Sequence, residues 1–129
     1  MKVFLADASP FGYGRLVNFL SGLQGLEILG HGSEGPGIST MIEAVRPDVI
    51  ILDIDMPGRS GIGFLKQLKG SLPNTVVIVL TNASSPQYRK RCTELGAEFF
   101  FDKSTEFRKV RDVLATMLQK QSTSLRSNS

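Results

Sequence analysis

The stretch VIILDIDMPG, residues 49–58, places four consecutive apolar residues directly before two acids that are one residue apart, Asp53 and Asp55. A continuous run of this kind, rich in β-branched residues, is typical of a strand that helices cover on both faces. The Met-Pro-Gly turn that follows ends the run. The stretch therefore predicts a buried strand of a parallel sheet with carboxylates at its carboxyl end.

Apolar runs and helical patterns alternate on both sides of this stretch, which indicates repeated strand-helix units. The third and fourth predicted strands contain the runs VIIL and TVVIVL and are expected at the centre of the sheet, whereas the second is short and charged and suits an edge. The fold class expected is α/β, a doubly wound five-stranded parallel sheet with helices on both faces. The five strands are predicted at residues 2–7, 26–30, 48–53, 75–80 and 97–101.

Local signals predict where the helices begin and end. Starts are indicated by residues that cap a helix or occupy its first turn, and ends by glycines. The starts are Ser9 with Pro10, Thr40 with Glu43 and Ser85 with Pro86, and the ends are Gly22, Gly70 and Gly96. The last helix carries one apolar stripe at helical spacing, formed by Phe107, Val110, Leu114, Met117 and Leu118. The domain is predicted to span residues 1–119, and the Ser-rich segment 120–129 is predicted to be a disordered tail.

The composition fits one soluble domain. The chain has 129 residues, 41% apolar and 21% charged, close to the average for globular proteins. One cysteine, Cys92, and one histidine leave no cysteine-histidine set for zinc, and Cys92 is predicted to pack in the core. The net charge of +3 is spread along the chain, so neither nucleic acid nor a membrane is an expected partner. We expect a cytoplasmic protein.

Polar side chains fall at the carboxyl ends of four different predicted strands: Asp7, Asp53, Thr81 and Lys103. In a doubly wound sheet the ligand crevice lies at these ends. Two nearby carboxylates invite a cation, and Mg²⁺ is the one that binds to one or two carboxylates and takes further oxygens from a phosphate. The set therefore predicts phosphoryl transfer to Asp53, with Lys103 neutralising the phosphoryl oxygens and Thr81 donating a hydrogen bond to them.

Four motifs carry a resemblance to a known family: LADAS at 5–9, RPDVIILDIDMPGRSG at 46–61, VVIVLTNAS at 76–84 and LGAEFFFDKS at 95–104. Together they resemble the receiver domain of bacterial two-component response regulators. The resemblance implies the strand order 2-1-3-4-5. It further implies that Asp53 accepts the phosphoryl group, that Asp7, Asp53 and the backbone carbonyl of Asp55 bind Mg²⁺, that Thr81 and Lys103 assist, and that Phe100 is the aromatic residue that moves with Thr81.

The chain departs from the family pattern after the first strand. The family usually carries a pair of acids there, and the second of the pair is Ala8 in this chain. A weaker Mg²⁺ site is the expected consequence. Side chains two residues apart in an extended backbone point the same way, so the carboxylate of Asp55 is a candidate to compensate for the missing acid.

The resemblance also implies the partners. A sensor histidine kinase or a phosphotransfer protein would supply the phosphoryl group and dock near the first helix and the strand ends. The response would pass to a downstream protein, or to a second copy in a homodimer, through the fourth helix, the fifth strand and the fifth helix, where Arg89, Lys90 and Arg91 offer positive charge. We expect a stand-alone receiver that is not an enzyme beyond accepting a phosphoryl group and slowly losing it.

Other interpretations of the same residues remain open. A receiver-like adaptor that signals without phosphorylation would also have this fold. The pattern Asp-x-Asp after an apolar strand resembles the haloacid dehalogenase phosphatases as well, but that family needs further acids, and Glu106 and Asp112 after Lys103 belong to a predicted amphipathic helix. The glycine-rich GHGSEG, residues 30–35, matches a dinucleotide-binding fingerprint in letters, yet it follows an edge-like strand, so a loop is favoured, with His31 exposed.

Overall fold

Strands and helices alternate through the chain as the sequence predicts. The structure, a computed structural model, describes residues 1–7, 10–29, 37–55 and 60–127. The predicted features at Ala8, Ser9 and His31 and the GHGSEG stretch lie outside these residues. Within the described ranges the elements are β1 (Lys2–Ala6), α1 (Pro10–Leu20), β2 (Glu27–Leu29), α2 (Gly37–Val45), β3 (Val49–Leu52), α3 (Gly61–Ser71), β4 (Val76–Thr81), α4 (Pro86–Glu94), β5 (Phe99–Asp102) and α5 (Phe107–Ser127).

The five strands form one parallel sheet in the order β2-β1-β3-β4-β5. This confirms the predicted fold class, strand order and edge position of the second strand. From β1 the chain first adds β2 on one side of the sheet and then β3, β4 and β5 in turn on the other side. The direction of strand addition therefore changes between β1 and β3. Because all strands are parallel, their carboxyl ends lie at one edge of the sheet, here called the carboxyl edge, opposite the amino edge.

The core has two layers, one on each face of the sheet. Strand residues that alternate in sequence point to opposite faces. One layer joins the strands to α1 and α5, and the other joins them to α2, α3 and α4. The predicted stripe of α5 is confirmed, since Phe107, Val110 and Leu114 are buried in the first layer. Cys92 is fully buried in the second layer, as predicted, and burial raises the pKa of its thiol.

The cap predicted at Ser85 is confirmed, because its side-chain oxygen accepts a hydrogen bond from the Tyr88 amide at 3.3 Å. The start predicted at Thr40 is wrong. Helix α2 begins at Gly37, and Thr40 lies inside its first turn. Burial of Ile38, 2% exposed, explains the earlier start, since this residue must already be on the helix to reach the core.

Two predicted helix ends are displaced. Helix α3 continues through Gly70 to Ser71, because the Leu72 amide still bonds to the Leu68 carbonyl at 2.7 Å. Helix α5 continues to Ser127, where the sequence predicted a disordered tail from residue 120. The segment contains neither Gly nor Pro before Ser127, so nothing in its composition stops the helix. None of the helices in the described ranges is both long enough and apolar enough to cross a membrane.

Candidate functional site

The pairing of β1 with β3 brings the two predicted acids together. Ala6 is the register partner of Leu52, so Asp7 and Asp53 are the next residues on two adjacent strands. The Asp53 amide still bonds to the Ala6 carbonyl at 3.0 Å, which keeps the strand geometry to this point. Both side chains are buried, at 5% and 9% exposure. Buried carboxylates need compensating partners, because leaving water costs the charged form free energy.

Lys103 supplies the compensating charge. Its ammonium nitrogen lies 2.7 Å from Asp7 Oδ2 and 2.9 Å from Asp53 Oδ2, and its side chain is 12% exposed. Burial alone lowers the pKa of this lysine, but the hydrogen bonds to Asp7 and Asp53 and the charges of both carboxylates raise it, and the net direction is upward. The lysine therefore stays protonated, and it faces two carboxylates with a single positive charge.

Thr81 completes the contacts of the Asp53 carboxylate. This threonine is fully buried at the end of β4, and its hydroxyl donates a hydrogen bond to Asp53 Oδ1 at 2.7 Å. The same hydroxyl accepts from the Ala83 amide at 3.1 Å, and the Asp55 amide donates to Asp53 Oδ1 at 2.9 Å. Asp53 thus receives an ammonium, a hydroxyl and an amide donor from three segments of the chain.

The donor set at this edge fits Mg²⁺. Asp7 and Asp53 each place one carboxylate oxygen within 2.9 Å of the same ammonium, so two hard oxygen atoms converge on one cationic group, and Mg²⁺ is bound in proteins by one or two such carboxylates. That the Asp55 carboxylate adds a third ligand stays a prediction. Its side chain is exposed, and in the described ranges no three acidic, histidine or cysteine side chains form a group at this edge.

Two glycines allow close approaches around the pocket. A Cβ atom on Gly12 of α1 would lie 2.6 Å from Asp7 Oδ2 and 3.1 Å from Lys103 Nζ. A Cβ atom on Gly61 would lie 2.0 Å from the Ile54 carbonyl oxygen, so the start of α3 can pack against the residue after Asp53 only because this position is glycine. The sequence signal for Gly12 was a glycine in the first turn of a helix that follows an acidic strand end, and sequence reasoning did not use it.

Asp102 holds the turn that presents Lys103, and it was also missed. Its carboxylate accepts hydrogen bonds from the Ser84 hydroxyl and from the amides of Ser104, at 2.8 Å, and Thr105, at 2.9 Å. The bond from Ser84, followed by the amide bonds, lowers the pKa of Asp102. An aspartate side chain commonly accepts a hydrogen bond from its own backbone two residues on, and that signal was present in the sequence.

Phe100 lies in the core layer of α2, α3 and α4. It is 6% exposed and belongs to the same buried cluster as Val79 of β4 and Cys92 of α4. Its neighbours Phe99 and Phe101 stack on each other, with ring centroids 6.0 Å apart. Of these three consecutive phenylalanines, Phe100 is the most deeply buried.

Residues 3–115 match the family model described as the response regulator receiver domain. This chain belongs to the response regulator receiver family. The match covers most of the chain, from the second residue of β1 through β5 and into α5. The receiver assignment agrees with the resemblance carried by the four motifs and with the parallel sheet in the order 2-1-3-4-5.

Two curated relatives each contain a segment that is similar to this receiver. The DNA-binding transcriptional activator EvgA of Escherichia coli strain K12 is 29% identical over 103 residues, 80% of this chain and 50% of that protein. The protein-glutamate methylesterase/protein-glutamine glutaminase of Treponema pallidum strain Nichols is 35% identical over 105 residues, 80% of this chain and 26% of that protein. The receiver thus spans half the length or less of these relatives.

Solved receiver structures have the same fold. The response regulator domain of CheB from Thermotoga maritima is 25% identical, and the match covers 93% of this chain and 94% of that one with a TM-score of 0.77. The signal receiver domain of a DNA-binding response regulator from Colwellia psychrerythraea 34H is also 25% identical, covering 92% and 97% with a TM-score of 0.79. The fold of this receiver is therefore shared across nearly the whole length of both domains.

Proposed function

We propose that this receiver accepts a phosphoryl group on Asp53 from a histidine kinase or phosphotransfer protein and passes the signal on through protein contacts. The observation that carries the proposal is the convergence of Lys103, Thr81 and the Asp55 amide on the Asp53 carboxylate. Positioned donors of this kind stabilise charge that develops on a phosphoryl group during transfer. The location proposed for the protein remains the cytoplasm.

The chemistry requires one bond to form and one to break. A carboxylate oxygen of Asp53 attacks phosphorus, and the bond from phosphorus to the donor nitrogen or oxygen breaks, with the electron pair leaving on the donor. Lys103 is close enough to move its hydrogen bond from Asp53 Oδ2 to a phosphoryl oxygen. Asp7 and Asp53, with the backbone carbonyl of Asp55, would hold Mg²⁺, which when bound neutralises charge on the phosphoryl oxygens.

The signal would leave the pocket through Thr81. Its hydroxyl bonds to Asp53 Oδ1 in the structure and would bond to the phosphoryl group after transfer. Phe100 follows as the aromatic residue that responds, and the surface of α4, β5 and α5 is the proposed contact for a downstream protein or a second copy. A receiver with these roles is not an enzyme beyond accepting and slowly losing its phosphoryl group.

The test is the intact mass of the protein after incubation with acetyl phosphate, with and without Mg²⁺. We expect a gain of one phosphoryl group that depends on Mg²⁺ and is absent in Asp53→Asn. Asp112→Asn is the matched control, because it removes the same charge from an exposed position on α5. No gain at any Mg²⁺ concentration would contradict the proposal and favour an adaptor that signals without phosphorylation.

A further inference from the structure

One arginine of α4 covers the buried aromatic ring of β5. Arg89 Nη1 donates a hydrogen bond to the Phe100 carbonyl at 2.9 Å, and the guanidinium carbon lies 4.9 Å from the centroid of the Phe100 ring. Arginine over an aromatic face is attracted by the ring electrons. The Arg89 side chain is 47% exposed whereas Phe100 is 6% exposed, so the guanidinium forms part of the boundary between this ring and water.

Glu106 holds the other end of the guanidinium. Its Oε1 lies 3.1 Å from Arg89 Nη2 and also accepts the Asp102 amide at 3.0 Å. Its Oε2 lies 2.9 Å from Lys109 Nζ. The hydrogen bond from Lys109, then that from the Asp102 amide and then that from Arg89 lower the pKa of Glu106 to about 2. Glu106 is therefore ionised at neutral pH and fixed by the backbone that leads into Lys103.

These contacts make one connected set. Arg89 joins α4 to the backbone and ring of Phe100, and through Glu106 it joins both to the turn that carries Asp102 and Lys103. The neighbouring Arg91 differs. It is 53% exposed, and it forms an ion pair at 3.8 Å with Glu94, one turn along the same helix. The run Arg89-Lys90-Arg91 is therefore not a uniform charged surface, because its first member is used inside the molecule.

We propose that Arg89, whose guanidinium is held by Glu106, is a positioning residue that keeps the Phe100 ring in its buried position. The inference rests on the proposed function for its biological meaning, since Phe100 is the proposed route from Thr81 to the surface. Loosening Arg89 raises the population of protein in which the ring is exposed and the surface of α4 and β5 is rearranged.

The test places a single fluorine on the ring by incorporating 4-fluorophenylalanine at position 100. Fluorine NMR with a soluble paramagnetic agent and saturation-transfer experiments then report the exposure of the ring and any minor state. In Arg89→Ala we expect a roughly tenfold rise in the exposed population, because a cation-π contact and a charged hydrogen bond are both lost. Arg89→Lys keeps the charge but not the planar fork, so we expect an intermediate rise.

Arg91→Ala is the matched control, since it removes the same charge from the same helix without touching Phe100. Urea unfolding of each variant separates ring release from general destabilisation. Equal ring exposure in Arg89→Ala and Arg91→Ala would overturn the proposal, and if Arg89→Ala does not fold, Arg89→Lys is compared with Arg91→Lys by the same criterion. The ring measurement uses no phosphodonor, so its failure is distinguishable from failure of phosphoryl acceptance, which the intact mass reports.

Discussion

Each edge of the sheet holds a lysine bound to carboxylate, but the two lysines have different kinds of partner. At the carboxyl edge, Lys103 Nζ contacts Asp7 and Asp53, both through side-chain oxygens on adjacent strands. At the amino edge, Lys69 in the last turn of α3 contacts Glu98 and also donates to the Thr75 carbonyl at 2.9 Å. One lysine balances two acids, whereas the other joins one acid to the backbone.

Glu98, the acid at the amino edge, also bonds to the backbone. Glu98 Oε2 accepts the Val77 amide at 2.6 Å, so the pair of Lys69 and Glu98 ties α3 to the starts of β4 and β5. Side chains that bond to the backbone in this way cannot change partners without disturbing the strands they hold. The contacts from Lys103 and Thr81 to the Asp53 carboxylate come from side chains, which can turn toward a phosphoryl group without breaking a strand. The Asp53 carboxylate also accepts the Asp55 amide, so the two edges differ in the side-chain donors that only the proposed phosphoryl site has.

The largest effect is expected from Lys103→Met. This change removes the positive charge at Asp53, and loss of one preorganised donor commonly slows a reaction by roughly 10²- to 10³-fold. We expect a loss of that size in the rate of phosphoryl acceptance from acetyl phosphate, measured by intact mass over time. Circular dichroism checks that the fold is kept. Acceptance at the wild-type rate in a folded Lys103→Met protein would mean that the lysine has no part in the chemistry.

Lys69→Met is expected to show the opposite pattern. The change leaves Glu98 without its cation and the Thr75 carbonyl without its donor, and charged hydrogen bonds of this kind contribute about 2 kcal/mol. We expect a fall of that order in the free energy of unfolding, measured in urea, with phosphoryl acceptance at the wild-type rate. A variant that kept its stability but accepted the phosphoryl group poorly would break the distinction between the two edges.

The smallest effect concerns Glu106, an acid at the rim of the carboxyl edge. Its pKa is about 2 in the folded protein, below the ordinary value of 4.5, so its contribution to stability is complete above pH 4.5 and is lost as the pH falls toward 2. The substitution Glu106→Gln should lower the free energy of unfolding by at most about 1 kcal/mol at pH 7, because the side chain is partly exposed. Urea unfolding at pH 7 and pH 3 should show this difference shrinking with acid.

Glu94→Gln provides the comparison for that experiment. Glu94 is 51% exposed and lies 3.8 Å from Arg91, so its replacement should change stability little at either pH. A difference between wild type and Glu106→Gln that stays constant from pH 7 to pH 3 would show that the charge of Glu106 has no role in holding the rim.

Much of the fold follows from the sequence because its signals are local. The runs VIIL and TVVIVL are apolar on both faces of a strand, so both faces must be buried. This predicted that β3 and β4 are interior strands of the sheet, as they are. That Asp7, Asp53, Thr81 and Lys103 lie together was predictable for the same reason, since parallel strands carry their final residues to one edge. The start of α2 was missed because Ile38 gains more from burial than Thr40 gains from capping.

The contacts between distant segments were not predictable. Arg89 and Glu106 are 17 positions apart, and no period or motif connects them. In the sequence Arg89 belongs to a run of three basic residues, and such a run predicts a solvated helix surface. Only the packing of α4 against β5 shows that this arginine lies over Phe100. Likewise, the exposure of the Asp55 side chain depends on how the chain leaves β3, which the alternation of an extended strand does not describe.

The most direct test of phosphoryl acceptance by Asp53 is to locate the phosphoryl group on the chain. Borohydride reduces an aspartyl phosphate to homoserine, a change that tandem mass spectrometry can assign to one position in a peptide. After treatment with acetyl phosphate and Mg²⁺, we predict this conversion at residue 53 alone. Conversion at residue 7 or residue 55 instead, or at no aspartate, would contradict phosphoryl acceptance by Asp53.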